Sequence, residues 1–585
     1  MTVLHNTILK EIAQNIENSL KENFPDAALT IDSIYKLISL APNMKMGHIA
    51  FPCFPLAKET KMAPNMISGK LAESISANGI IQEAKSVGPY LNFFINPAHF
   101  SKLLTEEIIS GEFFKKELCS ERPKTMIEYS QPNTHKEMHV GHMRNLCLGN
   151  ALVRIKKYAN QDVVAVTYPG DSGTHVAKCL WYLKYHNKEA VPETDKGSWL
   201  GKIYTRANLL LEDQLGSDQE EQNRAQLTAI LKELESESGE YFDLWKETRQ
   251  WSLDLMKSTY KWADVEFDRW FFESEVDTPS LELVKDLYKQ GKLIKDDGAV
   301  GMNLEEDKLG FCILIKSDGT GLYATKDVAL AVKKFEEYGI ENNIYIVDTR
   351  QSFHFAQVFK VLEKIGFEQA KNCHHLQYNF VELPDGAMSS RKGNIVPLMD
   401  LISQMQSHIK KEYLEKYAGD WSEEEINSTA QKIARGAINY GMTRFDNNRK
   451  IVFDMKEWLK LDGETGPYLQ YVYARINSLC EKLGYSAQLK PDFSQLSQDS
   501  EIALLLKCSA FNDIVVQCHE KNSPTALCSY LFELGKLFNS FYAECSISKA
   551  ETQELKESRL VLAKSVSLIM QNGLGLLGIE APQRM

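Results

Sequence analysis

His139 and His142 stand three residues apart with Gly141 between them, directly after the stretch TMIEYSQPNTHKEM (125–138). Met126, Ile127 and Tyr129 read as a strand, and Pro132 ends its extended pairing. Met143, Leu146, Ala151, Leu152 and Ile155 form an apolar stripe at helical spacing, so a helix begins at about Val140 or Gly141. A strand, a turn and a helix N-terminus make a phosphate site, because the first-turn N–H groups are unpaired and the dipole favours negative charge. Gly141 leaves room for a flat ring to approach the backbone, and Lys136 adds a cation in the same turn. A second candidate is the loop GAMSSRKGNIVPL (386–398). There Ser389 and Ser390 would donate hydrogen bonds while Arg391 and Lys392 carry charge, which suits phosphate clamping. Tyr323 and Asp327 are a third: four apart at a helix start, they share a face. Each has an ordinary explanation as well: a core histidine pair, a solvated basic turn, a helix N-terminal charge.

These residues need a scaffold, and the pattern supplies one. Strand 125–130, helix 141–158 and strand 163–168 make a βαβ unit, which implies parallel strands. The second strand ends in Pro169-Gly170-Asp171-Ser172-Gly173-Thr174, a loop expected to face the histidine turn. From about Asn187 to Tyr260 the chain is polar and helical, a solvated insertion. The fold resumes with FDRWFFESEV (267–276); two strands joined by a Ser-Asp-Gly turn and a helix near Tyr323 come next. A buried strand in NNIYIVD, a helix from about Phe355 and a strand in HHLQYNFVEL follow. Alternating strands and helices argue for a doubly wound α/β domain. Before it, residues 1 to about 110 read as an α+β unit, with an amphipathic helix over Ile8–Leu20 and strand-like alternation over Ala28–Leu40. After about Tyr417 strand signals vanish and a helical bundle is expected.

At 585 residues the chain is too long for one core. Its 43% apolar and 25% charged residues are those of an ordinary globular protein. No apolar run reaches a membrane span and the polar N-terminus is not a signal peptide, so the expected location is cytoplasmic, with no membrane partner. A formal charge of −12 argues against non-specific nucleic-acid binding but allows a local basic face. The 11 cysteines are scattered without a CxxC, which excludes a zinc knuckle or a disulfide framework. Cys373-His374-His375 is no metal site on a strand, because neighbours point to opposite faces.

His139-Val140-Gly141-His142 resembles the ATP-binding signature of class I aminoacyl-tRNA synthetases, and SQPNTHKEM is similar to the arginyl form. GHIAFPCFPLAKETKMAP with GPYLNFFIN resembles the N-terminal domain of arginyl-tRNA synthetases, which in that family touches the tRNA elbow. MSSRKGN resembles the second class I signature loop, with Ala387 in place of its first lysine and Ser390 in place of its second. The helical C-terminal region, with Gly466-Pro467, Gln470-Tyr471, Ala474-Arg475 and the terminal Gln-Arg-Met, resembles the family's anticodon-binding domain.

The resemblance implies a multidomain α/β protein. Its parts are an N-terminal tRNA-elbow-binding α+β domain (1–115), a doubly wound parallel-sheet, Rossmann-like catalytic domain (116–415, helical insertion at about 187–260) and a helical anticodon-binding domain (416–585). It implies ligation of L-arginine to tRNA(Arg) through an arginyl-adenylate, with ATP as substrate, Mg²⁺ bound through ATP, no protein metal site, and a monomer. Lys136, His139, His142, Ser389, Ser390 and Lys392 match catalytic positions. Pro132, Asn133, Lys136, His139, Val140, Gly141, His142, Met388 and Ser389 match ATP-binding ones. Asn133, Glu273, Tyr323, Asp327 and Gln351 match the arginine pocket. His175 stands where the family usually has Gln, and its role is left open. The rival readings are another class I synthetase, a catalytically silent tRNA-binding paralogue, and a small-molecule adenylyltransferase sharing the HxGH turn. The last would need neither the N-terminal unit nor the helical C-terminal region.

Overall fold

Five strands, each followed or preceded by helix, converge beneath the histidine turn in the computed structural model, which describes residues 3–384 and 396–585. They are β1 (Thr125–Glu128), β2 (Val163–Thr167), β3 (Arg269–Trp270), β4 (Asn342–Asp348) and β5 (Cys373–Tyr378). The order across the sheet is β5-β4-β1-β2-β3 and every pairing is parallel. The chain therefore reverses direction of winding between β1 and β4, and the carboxyl ends of these two strands open a crevice, the usual ligand position in such sheets. Below it, Lys334 and Glu128 form a fully buried ion pair, and the Lys334 ammonium also lies over the Tyr345 ring at 4.7 Å. Removing either partner would leave an uncompensated charge, so the pair ties β1 firmly to its neighbours.

Helix α1 (Val140–Tyr158) runs from the end of β1. Its first half packs Val140, Met143, Leu146 and Leu152 against the sheet. Ala151 and Ile155 join the apolar core shared with the N-terminal unit and the C-terminal helices. α1 is buried on nearly all sides and works as the spine of the molecule. Helices α2 (Glu273–Lys289), α3 (Tyr323–Tyr338) and α4 (Ser352–Lys364) complete the surroundings of the crevice.

The N-terminal unit is a four-stranded antiparallel sheet covered by helices Thr7–Asn23, Pro64–Ser74 and Pro97–Ser110. Here the strand expected over Ala28–Leu40 is corrected. Ile31–Leu37 is a helix, capped by the Thr30 side chain, and only Ser39–Leu40 is extended. Ile31, Ile34 and Tyr35 also satisfy helical spacing, and the cap decided between the two periods.

The insertion is helical as expected, with Lys196–Asp213, Glu220–Glu235 and Glu240–Ala263 packed beside Thr174–Tyr185. Its last helix braces the turn before the histidines: Ser252 accepts the His135 N–H at 2.9 Å and Thr248 bonds the His135 ring at 2.9 Å. The strand expected through HHLQYNFVEL is broken in two, and Val381–Glu382 pairs with Ile451–Val452 in a region expected to be free of strands. The buried Arg144 side chain explains the break, because it donates to main-chain carbonyls of Asn379, Asp446, Asn447 and Arg449 and draws the two segments together. The second strand expected after the Ser-Asp-Gly turn is a single bridge, Ile315 to Gly321, while Ile294–Asp296 and Ala299–Asn303 form an unanticipated hairpin. Beyond Glu423 the chain is helical apart from the short strand Ile451–Val452; no single helix among the described residues is long and apolar enough to cross a membrane.

Candidate active site

Main-chain capping sets the two histidines. His139 is the N-cap of α1, and its Nδ1 accepts the Gly141 N–H at 3.1 Å. His142 Nδ1 accepts the His139 N–H at 3.0 Å, and the two rings lie 4.1 Å apart. The expectation of open first-turn N–H groups is thereby corrected: the imidazoles themselves occupy donors at the start of the helix. An accepting Nδ1 carries no proton, so each neutral ring holds its hydrogen on Nε2. Burial, helped by Arg350, lowers the His139 pKa to about 4. Burial, His139 and Lys136 push His142 well below the ordinary histidine range. Both rings are neutral hydrogen-bond donors at physiological pH.

The rest of the crevice has a volume of about 700 Å³ and collects residues from distant parts of the chain. Asn133, His139, Gly141 and His142 line it, together with Glu273, Tyr323, Asp327 and Gln351. Of the sequence-derived set, Val140 is buried behind the turn and Pro132 lies beside Gly170, whose N–H it accepts at 3.3 Å. The Lys136 ammonium lies over the Tyr204 ring at 5.0 Å. It is also close enough to His142 and His175 to lower their pKa values. Met388, Ser389, Ser390 and Lys392 lie outside the described residues. The described flanks of that stretch meet the crevice, since Val381 lines it and Pro397 bridges His139.

Gly170 shows how tightly the arginine-type candidates pack. A Cβ there would stand 2.3 Å from Asn133 Oδ1 and 3.1 Å from Glu273 Oε1. Glu273 opens α2, where the helix dipole favours negative charge. Burial nevertheless raises its pKa to about 7, against the opposing influence of Lys326. Asp327 Oδ2 lies 2.6 Å from His354 Nε2, while Tyr323 stands at the rim and is 68% exposed. The pocket is rich in carboxylate: Glu273, Asp327, Asp277 and Asp348 all lie in or beside it, and Arg350 neutralises Asp348 at 2.8 Å.

Several site residues escaped sequence reasoning. Asn145, one turn into α1, accepts the Ser130 N–H at 2.6 Å and donates to Ile346 O at 2.8 Å, joining the ends of β1 and β4. It thereby holds Ser130 at a positive φ of 54°, where the chain leaves the sheet for the histidine turn. His354 and Lys326 also went unnoticed, although each sits within three residues of a candidate, Gln351 and Asp327 respectively. His175 is half-buried, bonds Gly170 O at 3.2 Å and has its pKa lowered to about 3 by desolvation, Lys136 and Lys326. Among the described residues no group of three or more His, Cys, Asp or Glu is arranged to hold a metal.

Residues 104–455 match the model of the class I tRNA synthetase (R) catalytic domain. Residues 469–585 match the DALR anticodon binding domain, and residues 9–95 the arginyl tRNA synthetase N-terminal domain. The chain is 53% identical to the arginine–tRNA ligase of Bdellovibrio bacteriovorus over 583 residues, covering 100% of both chains. It is 34% identical to that of Clostridium perfringens over 560 residues, 95% of this chain and 97% of the relative. Its fold superimposes on the Thermus thermophilus arginyl-tRNA synthetase with a TM-score of 0.80 at 27% identity, covering 98% of this chain and 100% of the other. With the class I (R) catalytic model matched over residues 104–455 and a curated arginine–tRNA ligase 53% identical along the whole chain, the chain belongs to the arginyl-tRNA synthetase family.

Proposed function

We infer that this chain ligates arginine to tRNA(Arg) at the expense of ATP, and that the crevice between β1 and β4 is where arginine is activated. The observation that carries this reading is the juxtaposition, in one cleft, of two neutral Nε2–H donors with the carboxyl groups of Glu273 and Asp327. The donors suit a triphosphate and the carboxylates suit a guanidinium and an ammonium.

In the activation step the arginine carboxylate attacks the ATP α-phosphate; a C–O–P linkage forms and pyrophosphate leaves with the electrons of the broken P–O bond. A terminal ribose hydroxyl of tRNA then attacks the activated carbonyl, and AMP leaves. Such chemistry asks for positioning and charge neutralisation more than covalent help. His139 and His142 donate to the phosphates as charge builds, Gly141 lets the adenosine approach, and Pro132, Asn133 and Val140 shape the turn beneath it. Lys136 supplies a cation, and Met388, Ser389, Ser390 and Lys392, outside the described residues, are assigned to ATP by their match to the family's second signature loop. Mg²⁺ comes with ATP and neutralises its phosphates. Asp327 pairs with the guanidinium; Asn133, Glu273, Tyr323 and Gln351 hold the remainder of the amino acid. A pocket that must satisfy a guanidinium discriminates strongly against analogues lacking it, so no second hydrolytic site is required.

Residues 1–115 contact the tRNA elbow in this reading, and residues 416–585 the anticodon. Exposed Phe54 and Tyr90 pack edge to face at 5.6 Å in the N-terminal unit, where Met66 is also exposed, aromatic surface suited to unpaired bases. A cytoplasmic monomer is part of the same proposal. The test is aminoacylation with labelled arginine and tRNA(Arg): the full chain charges the tRNA, and deletion of residues 1–110 weakens charging at limiting tRNA without changing the ATP or arginine requirement. Absence of charging by the intact chain would contradict the reading.

A further inference from the structure

We propose that Lys326 is a positioning residue that holds the Glu273 carboxylate in place and ionised, so that the pocket can bind a cationic amino acid at neutral pH. The proposal rests on the reading that Glu273 contacts arginine.

Lys326 is on α3 beside Asp327, yet its ammonium turns to the start of α2. Its Nζ lies 2.6 Å from Asp277 Oδ1 and 3.3 Å from Glu273 Oε2, and it donates to Ser172 Oγ at 3.2 Å. Ser172 Oγ closes the ring, lying 3.0 Å from Asp277 Oδ2 and 3.4 Å from Glu273 Oε2. The side chains of Lys326 and Glu273 are only 14% and 11% exposed, so their pairing is shielded, whereas Asp277 connects the network to the surface with its side chain 40% exposed. Every one of these contacts to Glu273 is made on Oε2. Oε1 lies toward Gly170, which lines the crevice together with Glu273. Oε2 is thus the oxygen anchored by Lys326 and Ser172.

The anchor is needed because the surroundings oppose the charge. Burial raises the Glu273 pKa to about 7, Asp277 and Asp171 push it the same way, and Lys326 is the main influence in the other direction. Asp171 is itself held by Arg249 at 2.7 Å. The remaining titratable groups that face the pair are Tyr323 and Asp327 of α3, Tyr168 after β2, and His175, which feels Lys326; burial and the nearby carboxylates keep Tyr168 protonated. Burial works against the Lys326 charge, but Glu273 and Asp277 outweigh it and hold the ammonium above its ordinary range. Without Lys326, Glu273 would take up a proton at a higher pH and lose its attraction for arginine. If Lys326 were instead a placeholder competing with the substrate, its removal would tighten arginine binding. The separation of the two carboxylate oxygens favours the anchor.

The experiment is the arginine KM in pyrophosphate exchange, with the full chain, tRNA(Arg) and saturating ATP, from pH 6 to 8.5. His139 and His175, lowered to about 4 and about 3, do not titrate in that window, nor does His142. In the wild type the KM rises as pH falls through about 7. Lys326→Met raises the KM at least tenfold at pH 7 and moves the transition upward by one pH unit or more, while Lys326→Arg keeps the wild-type profile. Asp277→Asn, which removes a like charge, moves the transition downward, and it serves if Lys326→Met does not fold. An unshifted or upward-shifted profile for Asp277→Asn, or for Lys326→Met an unshifted profile or a lowered KM, overturns the proposal. Glu273→Gln separates the two levels: a raised KM without the transition supports the pocket assignment, whereas an unchanged KM shows that Glu273 does not hold arginine at all.

Discussion

His142 Nδ1 accepts the main-chain N–H of His139 at 3.0 Å, so each histidine of the pair helps to cap the helix that carries the other. Catalytic orientation and helix initiation are one arrangement here. A substitution at either position therefore changes both, and the two effects can be told apart by choosing what replaces the ring.

His142→Ala removes a donor and a cap together. It should abolish most adenylate formation, since one transition-state donor is worth roughly 3–4 kcal/mol. The lost cap costs about 1 kcal/mol of stability, and tRNA binding stays nearly intact. His142→Asn restores an acceptor for the His139 N–H but not the Nε2 donor. Recovery of stability without activity is the expected result; more than half of wild-type exchange in either variant would remove His142 from the chemistry.

Asp327→Asn should raise the arginine KM far more than the ATP KM. Truncating a buried charged pair costs about 3–5 kcal/mol, here reduced because the side chain is 22% exposed. His354→Ala should follow in the same direction with a smaller effect, as His354 Nε2 lies 2.6 Å from the Asp327 carboxylate. Equal movement of both Michaelis constants would make Asp327 a structural residue.

His175 gives a pH prediction. Its folded pKa is about 3, so as pH falls below about 6.5 the unfolded chain takes up the proton first and stability is lost. His175→Gln, the residue usual in the family, can still bond Gly170 O but does not titrate. Urea unfolding at pH 7 and pH 4.5 should show the variant losing less stability than wild type, by on the order of 2 kcal/mol, with exchange retained at pH 7. An identical acid limb for both proteins would rule out this source of acid lability.

Lys136 and Lys392 compete for the role of the lysine absent at Ser390. Lys136 is close enough to His142 to lower its pKa, and Lys392 lies outside the described residues. Lys136→Ala should slow single-turnover adenylate formation on the order of 100-fold, with arginine affinity little changed, and Ser390→Lys should recover part of the loss. Greater damage from Lys392→Ala, with no rescue at 390, would place the charge on the loop instead.

Local signals made most of this legible. The strand, the proline stop, the HVGH turn and the apolar stripe of α1 are contiguous in sequence, and each shows its own periodicity. Asp327 and Gln351 were singled out by the family resemblance, Asp327 also by its four-residue spacing from Tyr323 at a helix start. What escaped is tertiary. Asn145 looks like one polar residue in a helix until Ser130 and Ile346 are brought to it, and Lys326 looks solvated until Glu273 and Asp277 converge on it. Residues 31–37 carried two compatible periods, and the Thr30 cap settled the matter. The open helix N-terminus expected for phosphate was wrong for a related reason: the sequence shows two imidazoles but not that their Nδ1 atoms turn back onto the main chain.

The central claim is that this crevice activates arginine with ATP. Pyrophosphate exchange assayed separately with each of the twenty amino acids, with and without tRNA(Arg), tests it most directly. Exchange should appear with arginine alone and disappear in His142→Ala. Exchange with another amino acid in preference to arginine, or with none under any condition, would contradict it.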